Sequence, residues 1–170
     1  MGISGEELAY KSRALAQSHP LTRLAKSLVD RCAEAERVSQ PLPETGTWAA
    51  AAMVTGYCLR RVEEDEAGLQ LTATDGADAG EVDLDALDQE ALRIASDLRT
   101  EGAPQQIIGD EDSVISALDR IIASEVDRRI GNWKENVDQE AWAELEAYIT
   151  WWAVKGYALR VAEKATGALA

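Results

Sequence analysis

A chain of 170 residues with 46% hydrophobic side chains can bury a substantial core in one domain, which excludes an intrinsically disordered polymer. Its 31 acidic against 17 basic residues give a formal charge of −14, so nucleic acid and anionic membrane are not expected as partners. No apolar run approaches the ~20 residues a membrane span needs, and MGISGEELAYKSR has no signal-peptide core, so a cytoplasmic protein is expected.

Alanine is abundant and β-branched residues rarely alternate with polar ones, which favours helix throughout. Ser4-Gly5-Glu6-Glu7 fits a capping box, and Leu8, Leu15 and the alanines extend an apolar stripe to about Gln17. Pro20 suits the first position of a new helix better than the interior of an old one, so the chain breaks at His19. A second helix is predicted from about Leu21 to Val38, with Leu21, Leu24, Leu28, Cys32 and Ala35 on one face. Two prolines and a glycine make 40–46 a linker, and Thr47 is expected to cap a third helix. That helix carries no charge from Trp48 to Leu59, so it should be buried on nearly all sides.

After Glu66 an acidic, glycine-rich connection of about 68–82 separates a first half, about 1–68, from a second, about 83–170. The fourth helix should begin near Asp83 or Asp85, present Leu84, Leu87, Leu92, Ala95 and Leu98 inward, and end before Pro104. Ile107-Ile108 is a short apolar patch. Asp110 is expected to open the fifth helix, with Val114, Ile115, Leu118, Ile121, Ile122 and Val126 on its inner face and Gly131 stopping it. Trp133 falls in the next loop, and Asp138 is expected to cap a sixth helix reaching about Ala165, roughly 40 Å long.

One stretch occurs twice, 100 residues apart: WAAAAMVTGYCLRRVEE at 48–64 and YITWWAVKGYALRVAEK at 148–164. Val54/Val154, Gly56/Gly156, Tyr57/Tyr157, Leu59/Leu159, Arg60/Arg160 and Glu63/Glu163 are identical. The fold expected is all-α, about six helices in one domain (1–170), made of two similar three-helix halves in a pseudo-two-fold relation with helices 3 and 6 central. Glycine inside a helix costs about 1 kcal/mol against alanine, so Gly56 and Gly156 mark a close helix crossing. Arg60–Glu63 and Arg160–Glu163 have the spacing of same-face ion pairs, which at a surface contribute roughly 0–1 kcal/mol. In the sixth helix Leu145, Ile149, Trp152, Gly156 and Leu159 form the inward stripe, and Trp151 lies ~100° away toward a rim.

Motifs for catalysis or metal binding fail when tested. Glu63 to Glu90 holds eleven carboxylates and no basic residue, but Asp75–Gly80 lacks the third and fifth ligands of a calcium loop and Ala86 stands at the twelfth. His19 is the only histidine, which removes the usual ligands of zinc and di-iron sites and the base of a serine triad. Arg13-x5-His19 has the spacing of the HEPN ribonuclease motif, but lies on the first helix of an acidic chain. Glu63-x-x-Glu66 resembles one half of the motif of all-α nucleotide pyrophosphohydrolases, but no Glu-x-x-Asp partner is expected on a following helix. Cys32 and Cys58 form no CxxC and read as buried, reduced thiols.

These features point to a non-enzymatic interaction or adaptor protein without cofactor or metal, its partner another protein or a second copy of itself. Trp151, Tyr148 and Trp133 are the candidate partner-binding residues. The excess of arginine over lysine suits a bacterial source, and the setting expected is an accessory part of a multi-gene defence or conflict system. The alternative is a small-molecule-binding bundle or unfamiliar enzyme with a pocket at the glycine crossing, lined by Tyr57, Tyr157, Arg60 and Arg160. The acidic 63–90 stretch either is solvated or docks a basic partner.

Overall fold

The computed structural model describes residues 3–18, 20–39, 44–69, 83–101, 107–108, 111–130 and 139–166. Among them the chain is all-helical, with six helices and no strand: α1 (Gly5–Ala16), α2 (Arg23–Ser39), α3 (Glu44–Glu66), α4 (Leu84–Glu101), α5 (Glu111–Ile130) and α6 (Gln139–Ala165). The Ser4 hydroxyl accepts the Glu7 N–H at 3.1 Å and opens α1. Thr22 does the same for α2, accepting the Ala25 N–H at 3.1 Å, so this helix begins two residues later than Leu21. Asp83 caps α4 by accepting the Ala86 N–H at 2.6 Å.

The start of α3 departs from expectation. Thr47 is not a cap; the helix already begins at Glu44. The first turn is held by α2, because Gly46 packs directly on the Ala33 carbonyl and Thr45 donates its hydroxyl to the Glu36 carbonyl at 3.4 Å. At the other end Gly68 adopts φ +75°, Leu69 donates its N–H to the Glu64 carbonyl, and Gly68 donates to that of Asp65. This is the left-handed closure that glycine permits without strain.

Helices α3 and α6 make the most extensive contact in the fold and run in the same direction. Tyr148 meets the Thr45 carbonyl near their N-terminal ends, and Arg160 meets Glu64 near their C-terminal ends. Helix α6 is buried continuously from Trp152 to Glu163. Helix α1 packs on α3 and α5, α2 packs on α3, and α4 packs on α6. Three inward assignments are corrected. In α4 the buried positions are Leu87, Ala91, Ile94 and Ala95, and Leu92 is 44% exposed, about one helical step off the stripe. In α5 Ile115 is 45% exposed while Ala117 is buried, and in α2 Ala33 is buried in place of Ala35. Residues 70–82 of the acidic connection, and His19, Asp110, Gly131, Trp133 and Asp138, lie outside the described residues. No helix among those described is long and apolar enough to cross a membrane.

Candidate functional site

The repeated stretches meet at the two glycines. A Cβ built on Gly56 would lie 1.9 Å from the Ala153 carbonyl oxygen, and one on Gly156 would lie 2.0 Å from that of Met53. Each glycine therefore seats the backbone of the other helix, and no space is left between them for a ligand.

One turn further on, the tyrosines, arginines and glutamates of the repeat form a buried network by pairing crosswise. Tyr57 donates its hydroxyl to Glu163 at 2.5 Å, and Tyr157 donates its own to Glu63. Arg60 donates to the Tyr157 oxygen at 3.0 Å, and Arg160 donates to that of Tyr57 at 3.1 Å. Each guanidinium also lies 5.4 Å from the ring centre of the tyrosine it reaches across to. The second oxygen of each carboxylate is held by a segment that leads into a helix. Glu163 Oε2 accepts from the Thr22 hydroxyl at 2.5 Å, before α2, and Glu63 Oε2 accepts from the Ile108 N–H at 3.0 Å, before α5.

Glu64 has no counterpart in the second copy, where Lys164 stands. It receives Arg160 through Nε and Nη2, both at 2.9 Å, and lies 3.6 Å from Arg60. The same-helix pair expected from spacing does form between Arg160 and Glu163 at 3.4 Å, but it is buried rather than at a surface, Arg60 is half-buried, and the closer partners of both arginines lie on the opposite helix. Burial of such charges is tolerable only when each is paired and hydrogen-bonded, and truncating one member leaves the rest uncompensated. Burial drives the Glu163 carboxyl above its ordinary value, against the hydrogen bonds from Thr22 and Tyr57. It also drives both tyrosine hydroxyls well above theirs, reinforced by the charges of Glu163 and Glu63. Tyrosines held neutral in this way act as hydrogen-bond donors between helices.

The network borders solvent on one side. A cleft of about 550 Å³ opens between α1 and the C-terminal turns of α3, with Arg160 and Glu64 at its floor, Lys11 and Arg61 on its walls, and Tyr10 and Leu69 at its mouth. A second, smaller recess of about 110 Å³ lies between α4, α5 and α6; it is apolar, lined by Leu98, Ile107, Val114, Ile115 and Leu118, with Tyr157 at its base.

Tyr57, Tyr157, Arg60 and Arg160 are therefore brought together, in the crosswise network rather than around a void. Trp152 is buried and Trp151 is half-buried, with the Arg99 guanidinium 5.3 Å from its ring centre. Tyr148 donates to Glu36 at 2.6 Å and sets its ring edge-on to Trp152, centres 6.3 Å apart. Residues that sequence reasoning missed are Glu64, Thr22 and Lys155. Lys155 is buried, pairs with Asp88 at 3.0 Å, and lies 3.7 Å from the Cys32 sulfur, tying α2, α4 and α6 together. Its signal was a lone charge inside an otherwise apolar run. Cys32 and Cys58 are buried and free, and burial pushes the Cys58 thiol up to about 12. No group of three or more potential metal ligands occurs among the described residues. Comparison with protein-family models, curated proteins and solved structures finds no match to this chain.

Proposed function

We propose that this chain is an interaction module that holds a partner protein through the apolar recess between α4, α5 and α6. One observation carries the reading. The recess is lined by aliphatic side chains, yet Ile115 at its lip is 45% exposed in a strongly acidic protein. Apolar slots of this size accept a single anchor side chain, and such anchors concentrate binding energy. The lip also carries Glu111, followed by the exposed Asp112. The occupant that fits is a basic segment bearing one large apolar residue; a second copy at −14 would meet like charge.

Two similar halves in a pseudo-two-fold relation form the scaffold in this proposal. Its support is the reciprocity of the pairs Tyr57–Glu163 and Tyr157–Glu63, and of the two glycine seats. The crosswise network fixes Tyr157, and with it the base of the recess. Capture of a binding partner from the native host, followed by direct titration of the purified partner, tests the reading. Ile115→Glu should abolish that binding while leaving the fold intact, and raised salt should weaken it. Unchanged affinity of folded Ile115→Glu would refute the recess as the docking point. The second reading, a small-molecule-binding bundle, is favoured by a different observation, the open cleft above Arg160.

A further inference from the structure

We infer that the cleft above Arg160 and Glu64 is a binding site for a small organic anion, a carboxylate carried on an apolar or aromatic body. The inference is independent of the apolar recess, which shares no lining residue with the cleft. The volume of about 550 Å³ falls within the ~300–1,000 Å³ usual for small-ligand sites. The donors that Arg61 leaves unengaged are what select the ligand. In a chain of net charge −14, basic side chains from three helices converge here: Lys11 from α1, Arg61 from α3 and Arg160 from α6.

Two of the acids at the cleft are committed, and a third, the exposed Asp65, also lines it. Glu64 holds Arg160, and Glu66 at the edge holds Lys11 at 2.5 Å. Arg61 is different. It is half-buried, and its one hydrogen bond among the described residues goes from Nη1 to the Pro20 carbonyl at 2.6 Å. No carboxylate pairs with it among those residues, although Asp65 stands one turn further along the same helix. A guanidinium has five N–H donors arranged to match a carboxylate in bidentate fashion, so Arg61 keeps donors for a ligand. Lys11, Arg61 and Arg160 are matched in number by Glu64, Asp65 and the neighbouring Glu66, so what the cleft leaves open is the unengaged donor set of Arg61 rather than a net charge.

The apolar part of the ligand is defined by the opposite wall. Tyr10, 69% exposed, and Leu69, 45% exposed, are two of the largest solvent-facing apolar side chains, and they flank the same opening above Leu15 and Val62. An aromatic ring laid against Tyr10 and Leu69 would place a carboxylate two or three bonds away toward Arg61 and Lys11. The glutamate at the floor disfavours a second negative charge deeper in, so a monocarboxylate fits better than a dicarboxylate or a phosphate.

Calorimetric titration with 3-phenylpropionate tests this, using 3-phenylpropylamine, a cation with the same ring and chain length, as the reference probe. The carboxylate should bind saturably, and the amine should not. Arg61→Met should weaken binding about tenfold or more, the loss expected when a charged hydrogen-bond partner is removed, and Arg61→Lys should retain part of the affinity. Ala14 is exposed and lines the cleft, so Ala14→Trp should block binding by filling it without altering charge. Thermal unfolding of each variant separates loss of the site from loss of the fold. The inference is overturned by any of three results: no saturable binding of 3-phenylpropionate, equal binding of the amine, or unchanged affinity in folded Ala14→Trp.

Discussion

Replacing Gly56 or Gly156 by alanine adds a single methyl group, and at this crossing no side-chain rotation can make room for it. The atoms it meets, the carbonyls of Ala153 and Met53, belong to the opposing backbone at 1.9 and 2.0 Å. Restoring ordinary van der Waals contact requires α3 and α6 to part by about 1.5 Å. A shift of that size takes the Tyr57–Glu163 contact of 2.5 Å and the Arg160–Glu64 contact of 2.9 Å beyond hydrogen-bonding range. Overpacking alone costs about 1–3 kcal/mol. Loss of two hydrogen bonds to charged groups adds about 3 kcal/mol or more. The better helix propensity of alanine offsets only about 1 kcal/mol. Each substitution should therefore destabilise the fold by about 4 kcal/mol, a large share of the ~5–15 kcal/mol typical of a domain. Urea denaturation measures this, with Gly68→Ala as the internal reference. Gly68 meets nothing within 4 Å, so its replacement carries only left-handed backbone strain of about 1–2 kcal/mol. Midpoints for Gly56→Ala and Gly156→Ala at or above that of Gly68→Ala would refute the tight crossing.

Burial holds the Glu163 carboxyl above its ordinary value, so the folded chain binds this proton more tightly than the unfolded one. Its contribution to stability is present below the ordinary glutamate value of 4.5 and is lost as pH rises through the raised folded value. Glu163→Gln should flatten that part of the pH profile, read as urea midpoints across the acid range; an unchanged slope would show that another group carries it. Trp152→Ala should cost about 3–5 kcal/mol, as truncation of a buried aromatic does. Trp151→Ala should cost clearly less, because its ring is only half-buried at the edge of the core, beside the Arg99 guanidinium; thermal unfolding of the pair decides, and the reverse order would contradict the helix phase.

Helical class, the number of helices and the central place of α3 and α6 were legible because they rest on local signals: apolar periodicity, prolines, and an uncharged run. The deeper burial of Trp152 than of Trp151 followed from a 100° step on one helix. Leu92, Ile115 and Ala35 were misplaced because a single helix offers several apolar stripes, and only its neighbours decide which is covered. The polar network was half legible. Tyr-x-x-Arg-x-x-Glu stands in both stretches, but spacing suggests the nearest partner, i to i+3, and surface exposure. Pairing Tyr57 with Glu163 needs the knowledge that the two helices lie side by side in the same direction, with the glycines in contact. Thr22 and the Ile108 N–H carry no sequence signal for their roles, since any donor at those points of the fold would serve.

The Thr22–Glu163 hydrogen bond joins residues 141 positions apart, and the Tyr57–Glu163 bond joins residues 106 apart. During synthesis from the N-terminus, α1, α2 and α3 all emerge before α6 exists. The nascent first half therefore presents Glu63, Glu64 and the Gly56 groove to water, with no complementary surface to close on. Burying those carboxylates ahead of Arg160 would cost free energy, so α3 must stay hydrated until the last helix arrives. Native closure thus waits on the C-terminal helix, and a chain cut before residue 160 lacks the charge that would let its own centre dry.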